Sequence, residues 1–429
     1  MSERLAVFGG KPVRSQPYPI HTTILDDAEE KQVIEVLRGG QLSGFSARPG
    51  ERFLGGPKVR ELEETFRKRF GVRHVVTFNS ATSALHAAVA AAGVGPGDEV
   101  ITSPFTMSAT PSSVLMQNAV PVFADIEDRT FGLDPASVRE RFTDRTRAIL
   151  AVNLFGHPSR LRELRALALE RGVRLIEDNA QSPGALCGDR LSGTYGETGV
   201  LSLNYHKTIQ TGEGGVALTD DPALAEHMQL VRNHGEVVVG KIGREDISNT
   251  LGWNYRLTEV QAAIGIPQLA KLDRFNALRQ SLARRLTEGL RRFDFLTPPV
   301  VEDGCTHVYY MYPIRFHAER AGVERAAFVK AMRAEGVSLS AGYLQPLYLE
   351  PIYQRRIAYG KKGCPFSCPF YGKQPSYAKG LCPTAERMYE REMMTTDICK
   401  HPNGEREVDE FLEAAAKVRD NMLALRAAV

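Results

Sequence analysis

Long apolar runs are missing from this chain, in which no stretch reaches the eighteen or so residues that a membrane-spanning helix requires. The opening residues, MSERLAVFGGKPVRS, also lack the apolar core of a secretory signal, so a cytoplasmic address is expected. Cysteine is scarce, with six in 429 residues (Cys187, Cys305, Cys364, Cys368, Cys382 and Cys399). That excludes a disulfide scaffold, and free thiols in a reducing compartment are the expectation. Neither charge sign is in excess. Lys plus Arg number 54 against 51 Asp plus Glu, a net of +3, so neither a nucleic acid nor an anionic membrane is an expected partner. The pairs Arg284-Arg285 and Arg291-Arg292 alternate with Leu282, Leu286 and Leu290, the pattern of a helix with one solvated face. Internal repeats and low-complexity tracts are absent too. What remains is the 43% hydrophobic, 24% charged composition of a soluble globular protein, long enough for two or three domains.

Residues 1–25, rich in Pro and Gly, are expected to be extended. Asp26-Asp27 then opens a helix with Val33, Val36 and Leu37 on one face, and Gly39-Gly40 ends it. GQLSGFSARPGERFLGGP reads as a long loop suited to substrate contacts, and residues 59–70 as a second helix carrying Leu62, Phe66 and Phe70. From there short β-branched runs alternate with helix formers: VRHVVTF, ALHAAVAAAG, DEVITS, PSSVLMQNA, VPVFADI, AILAVNL, RLRELRALALERG, VRLIEDN, GVLSLN and GVALTD. Buried strands separated by helices predict an α/β fold with a mostly parallel sheet covered on both faces, and ligands at the carboxyl ends of its strands. A long helical stretch over 258–293 follows. Strand-like HVYYMYPIRF, helix-like ERAAFVKAMRAEG and a closing helix over 408–428 then predict a smaller α+β unit. The division is expected at 1–295 and 296–429. Residues 354–382 are rich in Gly, Pro, Tyr and Lys without a period, and read as a long functional loop or insertion.

Two residues close apolar runs 29 positions apart, Asp178 after LIE and Lys207 after GVLSLNYH. A lysine for a Schiff base and a carboxylate for the pyridinium nitrogen are what a pyridoxal phosphate site requires. Taken singly, Lys207 reads more readily as a surface lysine at a strand end, and Asp178 equally as the cap of the next turn. Gln181, three residues on, can reach the ring hydroxyl. Ser80-Ala81-Thr82-Ser83 open a helix directly after a strand, which is either an anion seat for the cofactor phosphate or plain capping. Ser202 is a second candidate for that phosphate.

The chain also resembles, over nearly its whole length, the DegT/DnrJ/EryC1/StrS family of pyridoxal-phosphate-dependent sugar aminotransferases. The segments that carry the resemblance are GGPKVRELEETF, NSATSALHAA, SPFTMSAT with VPVFADI, EDNAQSPGA, SLNYHKTIQTGEGG, GWNYRLTEVQAAIG and CPTAERMYER, in that order. It implies a fold-type I, aspartate-aminotransferase-like architecture: a large domain with a mostly parallel seven-stranded sheet, a smaller C-terminal domain, and a homodimer with shared active sites. It implies Lys207 as the Schiff-base lysine, Asp178 as the pyridinium partner and Gln181 near the ring oxygen. Ala81, Thr82 and Ser202 would hold the phosphate, with Asn254 reaching it from the neighbouring subunit. On its own residue type Asn254 reads as a turn residue. Where the family places an aromatic residue on the ring, this chain has Met107, unless Phe105 fills that place. Cys364, Cys368, Cys382, Cys399 and His401 are spaced too irregularly for an expected metal site.

The resemblance implies transfer of an amino group from glutamate or glutamine to a keto-sugar, the nucleotide-linked ketosugar being the commonest acceptor. Lys58, Arg60, Arg232, Lys241 and Arg355-Arg356 are the candidate cations for its diphosphate. The alternatives are a keto-cyclitol (scyllo-inosose-type) aminotransferase, a pyridoxal-phosphate-dependent dehydratase, and a non-catalytic regulator. Some relatives of this fold carry histidine at the lysine position and dehydrate sugars, so the lysine here favours transamination.

Overall fold

The computed structural model describes residues 3–19 and 24–427; parts of the expected extended arm (residues 1–2 and 20–23) and Ala428 lie outside them. Seven strands form the central sheet: β1 (His74–Phe78), β2 (Glu99–Thr102), β3 (Val120–Phe123), β4 (Thr146–Val152), β5 (Arg174–Asp178), β6 (Thr198–Ser202) and β7 (Gly215–Thr219). Their order is β1-β7-β6-β5-β4-β2-β3, with β7 alone antiparallel to its neighbours. The α/β fold with a mostly parallel seven-stranded sheet is therefore present.

Alternation along the strands dictates two covered faces. Val76, Phe78, Ala148, Leu150, Ile176 and Val200 pack under helices α3 (Ala81–Ala91) and α7 (Pro222–Arg232). Their neighbours turn the other way. Ile149, Ala151 and Leu175 meet Val138 of α5 (Pro135–Arg141) and Leu164 of α6 (Leu161–Arg171), while Val75, Leu201 and Val216 meet α2 (Pro57–Phe70) and α8 (Glu259–Ala270). The remaining early helices are α1 (Asp27–Gly39), capped by Asp26 through the Ala28 amide, and α4 (Ala109–Met116).

The expected single helix over 258–293 is two, α8 and α9 (Leu272–Leu290), divided at Lys271. The ammonium of Lys271 pairs with Asp26 at 2.8 Å and Glu29 at 2.7 Å, so the break is where α1 is fastened. A second sheet, β8 (Leu296–Thr297), β9 (Tyr312–Phe316), β10 (Ser340–Ala341) and β11 (Met393–Thr396), packs with Leu282 and Leu286 of α9, α10 (Arg325–Ala334) and α11 (Glu405–Asp420). Only the last half of HVYYMYPIRF is strand, and the closing helix is interrupted at Asn421.

The stretch around 354–382 forms a core of its own. Tyr353, Phe366, Tyr371 and Tyr377 are buried against Phe105, Phe123 and Phe155. The Tyr377 hydroxyl donates to Pro121 O (2.8 Å) and that of Tyr371 to Glu99 (2.8 Å), so the segment covers the edge strand β3 and its neighbour β2. An irregular aromatic cover of this kind has no period to betray it in the sequence.

Candidate functional site

The carboxyl ends of β1, β6 and β5 converge. Gly215, which starts β7, is registered opposite both Phe78 at the end of β1 and Ser202 at the end of β6. A Cβ at position 215 would stand 2.3 Å from Ser80 O and 2.6 Å from Ala81 N. Glycine there lets the start of α3 press against the end of the sheet, next to the Ser202 row. Ser80 caps α3 by accepting the Ser83 amide at 3.1 Å. The amides of Ala81 and Thr82 are left without partners inside the helix, as the first turn of any helix leaves them. Together with the buried Ser202 they could hold an anion.

One strand over, β5 ends in two carboxylates that alternate to opposite faces. Glu177 is wholly buried and accepts the amides of Gly193 (2.7 Å), Tyr195 (2.6 Å) and Gly196 (2.8 Å), so it closes a turn. Asp178 keeps capacity to spare, with Oδ2 accepting from Thr110 Oγ1 at 2.8 Å and Oδ1 from the Ala180 amide at 3.1 Å. Burial pushes its pKa up, opposed by those two donors and by the charge of Lys207. Lys207 lies in the turn after β6. The residue is half-buried, and its amine lies deep among protein atoms. Burial holds its pKa down at about 8, with Lys400 pressing the same way and Asp178 opposing. The ammonium rests 4.5 Å from the ring centre of Tyr310. Gln181 is fixed at both ends: Oε1 accepts the Phe155 amide at 2.8 Å and Nε2 donates to the Tyr343 hydroxyl at 3.2 Å.

Met107 is 56% exposed just before α4, whereas Phe105 is sunk edge-on against Phe155 and Tyr343. A thioether on a ring face is therefore available, and the Phe105 ring is not. Asn254 is exposed, its carbonyl accepting from Asn79 at 3.2 Å and its Oδ1 from Arg256 at 2.8 Å.

Two of the candidate cations are committed elsewhere. Arg232 is 0% exposed and pairs with Glu63 at 2.8 Å while donating to Thr77 O and Leu54 O. It is a strut between α7, α2 and β1, and it corrects the expectation of a diphosphate contact. Lys58 is held by Gln32, Glu35 and Glu61. Cys382 lies in the aromatic core and Cys399 in that of the second sheet. Among the described residues no cluster of three or more His, Cys, Asp or Glu could hold a metal.

The residues present fit pyridoxal phosphate. A buried carboxylate with a raised pKa is relieved by a cationic ring nitrogen. A low-pKa amine stands near enough to feel that carboxylate, and an anion seat lies at the neighbouring strand ends. Thr110, Tyr310, Tyr343 and Lys400 were not singled out in the sequence. Thr110 and Tyr310 fall inside the SPFTMSAT and HVYYMYPIRF segments, while Tyr343 and Lys400 carry no local signal.

Residues 26–376 match the DegT/DnrJ/EryC1/StrS aminotransferase family. An L-glutamine:2-deoxy-scyllo-inosose aminotransferase of Streptomyces kanamyceticus is 35% identical, with 78% of this chain and 79% of that protein covered. A protein of Streptoalloteichus tenebrarius, provisionally named an L-glutamine:3-amino-2,3-dideoxy-scyllo-inosose aminotransferase, is 34% identical over 99% of this chain and 100% of its own length. Among solved structures, DesI in the presence of its TDP-sugar product superposes with a TM-score of 0.78 at 26% identity, covering 99% of this chain and 97% of that one. The chain thus belongs to the DegT/DnrJ/EryC1/StrS family of sugar aminotransferases, enzymes that depend on pyridoxal phosphate.

Proposed function

We propose that this aminotransferase moves the amino group of L-glutamine to the carbonyl carbon of a keto-cyclitol, using Lys207 as its cofactor-bearing residue. The observation that carries the site is the pairing of a low-pKa amine with a buried carboxylate at the ends of adjacent strands. When bound, pyridoxal phosphate supplies an electron sink conjugated to the α-carbon of the donor. With a pKa of about 8, roughly one Lys207 amine in ten is neutral and nucleophilic at pH 7, against fewer than about one in a thousand at the ordinary lysine value. The same amine would serve as the base that carries a proton from the donor α-carbon. Asp178, with Thr110 holding its Oδ2, would pair with the ring nitrogen; Gln181 would stand near the ring hydroxyl, the amides of Ala81 and Thr82 with the Ser202 hydroxyl would hold the phosphate, and Met107 would cover the ring face.

In the same reading the enzyme is a cytoplasmic homodimer in which Asn254 reaches the phosphate of the neighbouring protomer. The exposed Ile247, Leu251 and Trp253 beside Asn254 support an interface there, and the six free thiols suit a reducing compartment. The cyclitol acceptor is supported by the two relatives at 34% and 35% identity, both named for scyllo-inosose substrates, and by the commitment of Arg232 and Lys58 to internal pairs. A nucleotide-linked ketosugar is the second reading, favoured by the likeness to DesI with its TDP-sugar. Incubation of the loaded enzyme with keto-cyclitols and keto-sugar nucleotides, each with glutamine or glutamate, separates them by product mass. The proposal expects amination of a cyclitol with glutamine as donor; amination of nucleotide-linked sugars alone would overturn the acceptor.

A further inference from the structure

The Tyr310 ring carries two ammonium groups. Lys207 Nζ lies 4.5 Å from its centre and Lys400 Nζ 4.7 Å. Lys400 sits in the turn after β11, its amide bonded to Asp397 O at 2.9 Å and its ammonium paired with the Asp397 carboxylate at 2.5 Å. The residue is buried, so this turn brings a fixed charge from the second sheet to the end of the first. Tyr310 is itself clamped, because the buried guanidinium of Arg279 on α9 donates to the carbonyls of Tyr309 and Tyr310 at 3.1 and 3.2 Å.

The geometry points to Lys400 as a positioning residue for Lys207: held by Asp397 against the shared Tyr310 ring, its charge opposes protonation of the Lys207 amine and keeps that amine ready for the cofactor. This rests on the reading of Lys207 as the cofactor-bearing residue. Like charges sharing a low-dielectric site disfavour each other, and a ring face both attracts each cation and keeps water from between them. The other groups facing Lys207 are few. Asp178 at the end of β5 favours the charged amine, and His206, next in sequence, has its own pKa held down at about 4 by burial and by the two lysines, so it is neutral at pH 7. Arg279 faces Lys400 and Asp397 rather than Lys207. Burial lowers the pKa of Lys400, the Asp397 carboxylate opposes that shift, and the Arg279 charge adds to it. Asp397 thus favours the charged form of Lys400 beside a Lys207 whose charged form is disfavoured.

The test is the titration of both amines in the cofactor-free protein, read by pH-dependent reductive methylation and peptide mass mapping. Lys400→Met, which retains the buried stem, is expected to raise the Lys207 midpoint by about one unit. Attachment of pyridoxal phosphate at pH 7 then slows about five- to tenfold. Lys400→Arg restores both values. Coupling is reciprocal, so Lys207→Ala is expected to raise the Lys400 midpoint by a similar amount, and this arm stands even if Lys400→Met fails to fold. An unchanged Lys400 midpoint in Lys207→Ala, or an unchanged Lys207 midpoint in folded Lys400→Met, overturns the proposal. Borohydride trapping of the cofactor on another residue would instead sink the reading of Lys207 while leaving the amine coupling measurable.

Discussion

Glu177 and Asp178 are adjacent carboxylates with different surroundings, and only Asp178 has acceptor capacity left for a ligand. Asp178→Asn should leave the cofactor anchored through its phosphate and Lys207 yet lower kcat/KM by roughly a hundredfold or more, because a neutral amide does not keep the ring nitrogen protonated. Thr110→Val removes one donor from the same carboxylate; a loss of about 1–2 kcal/mol, or roughly tenfold in cofactor affinity, is expected in a binding titration. Lys207 adds a pH signature. Its folded pKa of about 8 lies below its ordinary value, so the attachment rate should climb with pH and level off above about 8. The unfolded chain holds the extra proton between that value and the ordinary 10.5, so stability of the cofactor-free protein gains from Lys207 as pH rises through this window. Lys207→Met should flatten that gain in thermal melts taken across the window. At this scale the places of Asp178 and Lys207 at the close of apolar runs could be read from the sequence, with Gln181 three residues beyond Asp178; the roles proposed for them rest on the fold as well. Lys400 was not legible, since it lies 193 positions along the chain from Lys207 and only the fold places both on Tyr310. Arg232 misled for a related reason: a cation at a helix end looks solvent-facing until Glu63, far away in sequence, is seen to bury it.

At the scale of elements, the junction of β1, β7 and α3 sets the anion seat, and Gly215 is its hinge point. Gly215→Ala would force a methyl into the Ser80 carbonyl and the Ala81 amide, which are backbone atoms and cannot swing aside. We expect destabilisation of about 1–3 kcal/mol in denaturant melts and weaker binding of both pyridoxal phosphate and inorganic phosphate. The strands and helices up to β7 were legible from the alternation of β-branched runs and helix formers. The break at Lys271 was not, because the α8 to α9 sequence keeps its helical period while the division serves a tertiary ion pair with α1. The shortening of HVYYMYPIRF to five strand residues has a similar origin: Tyr309 and Tyr310 have their carbonyls bonded to Arg279 rather than to a neighbouring strand.

At the scale of the whole molecule, the aromatic segment around 353–382 protects the β3 edge of the central sheet and shares a core with Phe105 and Phe155, which lead to Gln181 and Tyr343. Phe123→Ala, which opens a cavity beneath Tyr353 and Tyr377, should lower stability by about 3–5 kcal/mol and render the segment susceptible to limited proteolysis. The general architecture could be read from the order of motifs, but this cover could not, since its order comes from interlocking rings rather than from a backbone period. In the proposed reading, sheet, cover and second sheet serve one end, bringing the Lys207 amine within electrostatic reach of Asp178. Borohydride reduction of the pyridoxal-phosphate-loaded enzyme, followed by peptide mass mapping, tests that most directly. The predicted result is a cofactor mass on the peptide bearing Lys207 that disappears in Lys207→Ala; the same mass on a different lysine, or its persistence in the variant, would contradict it.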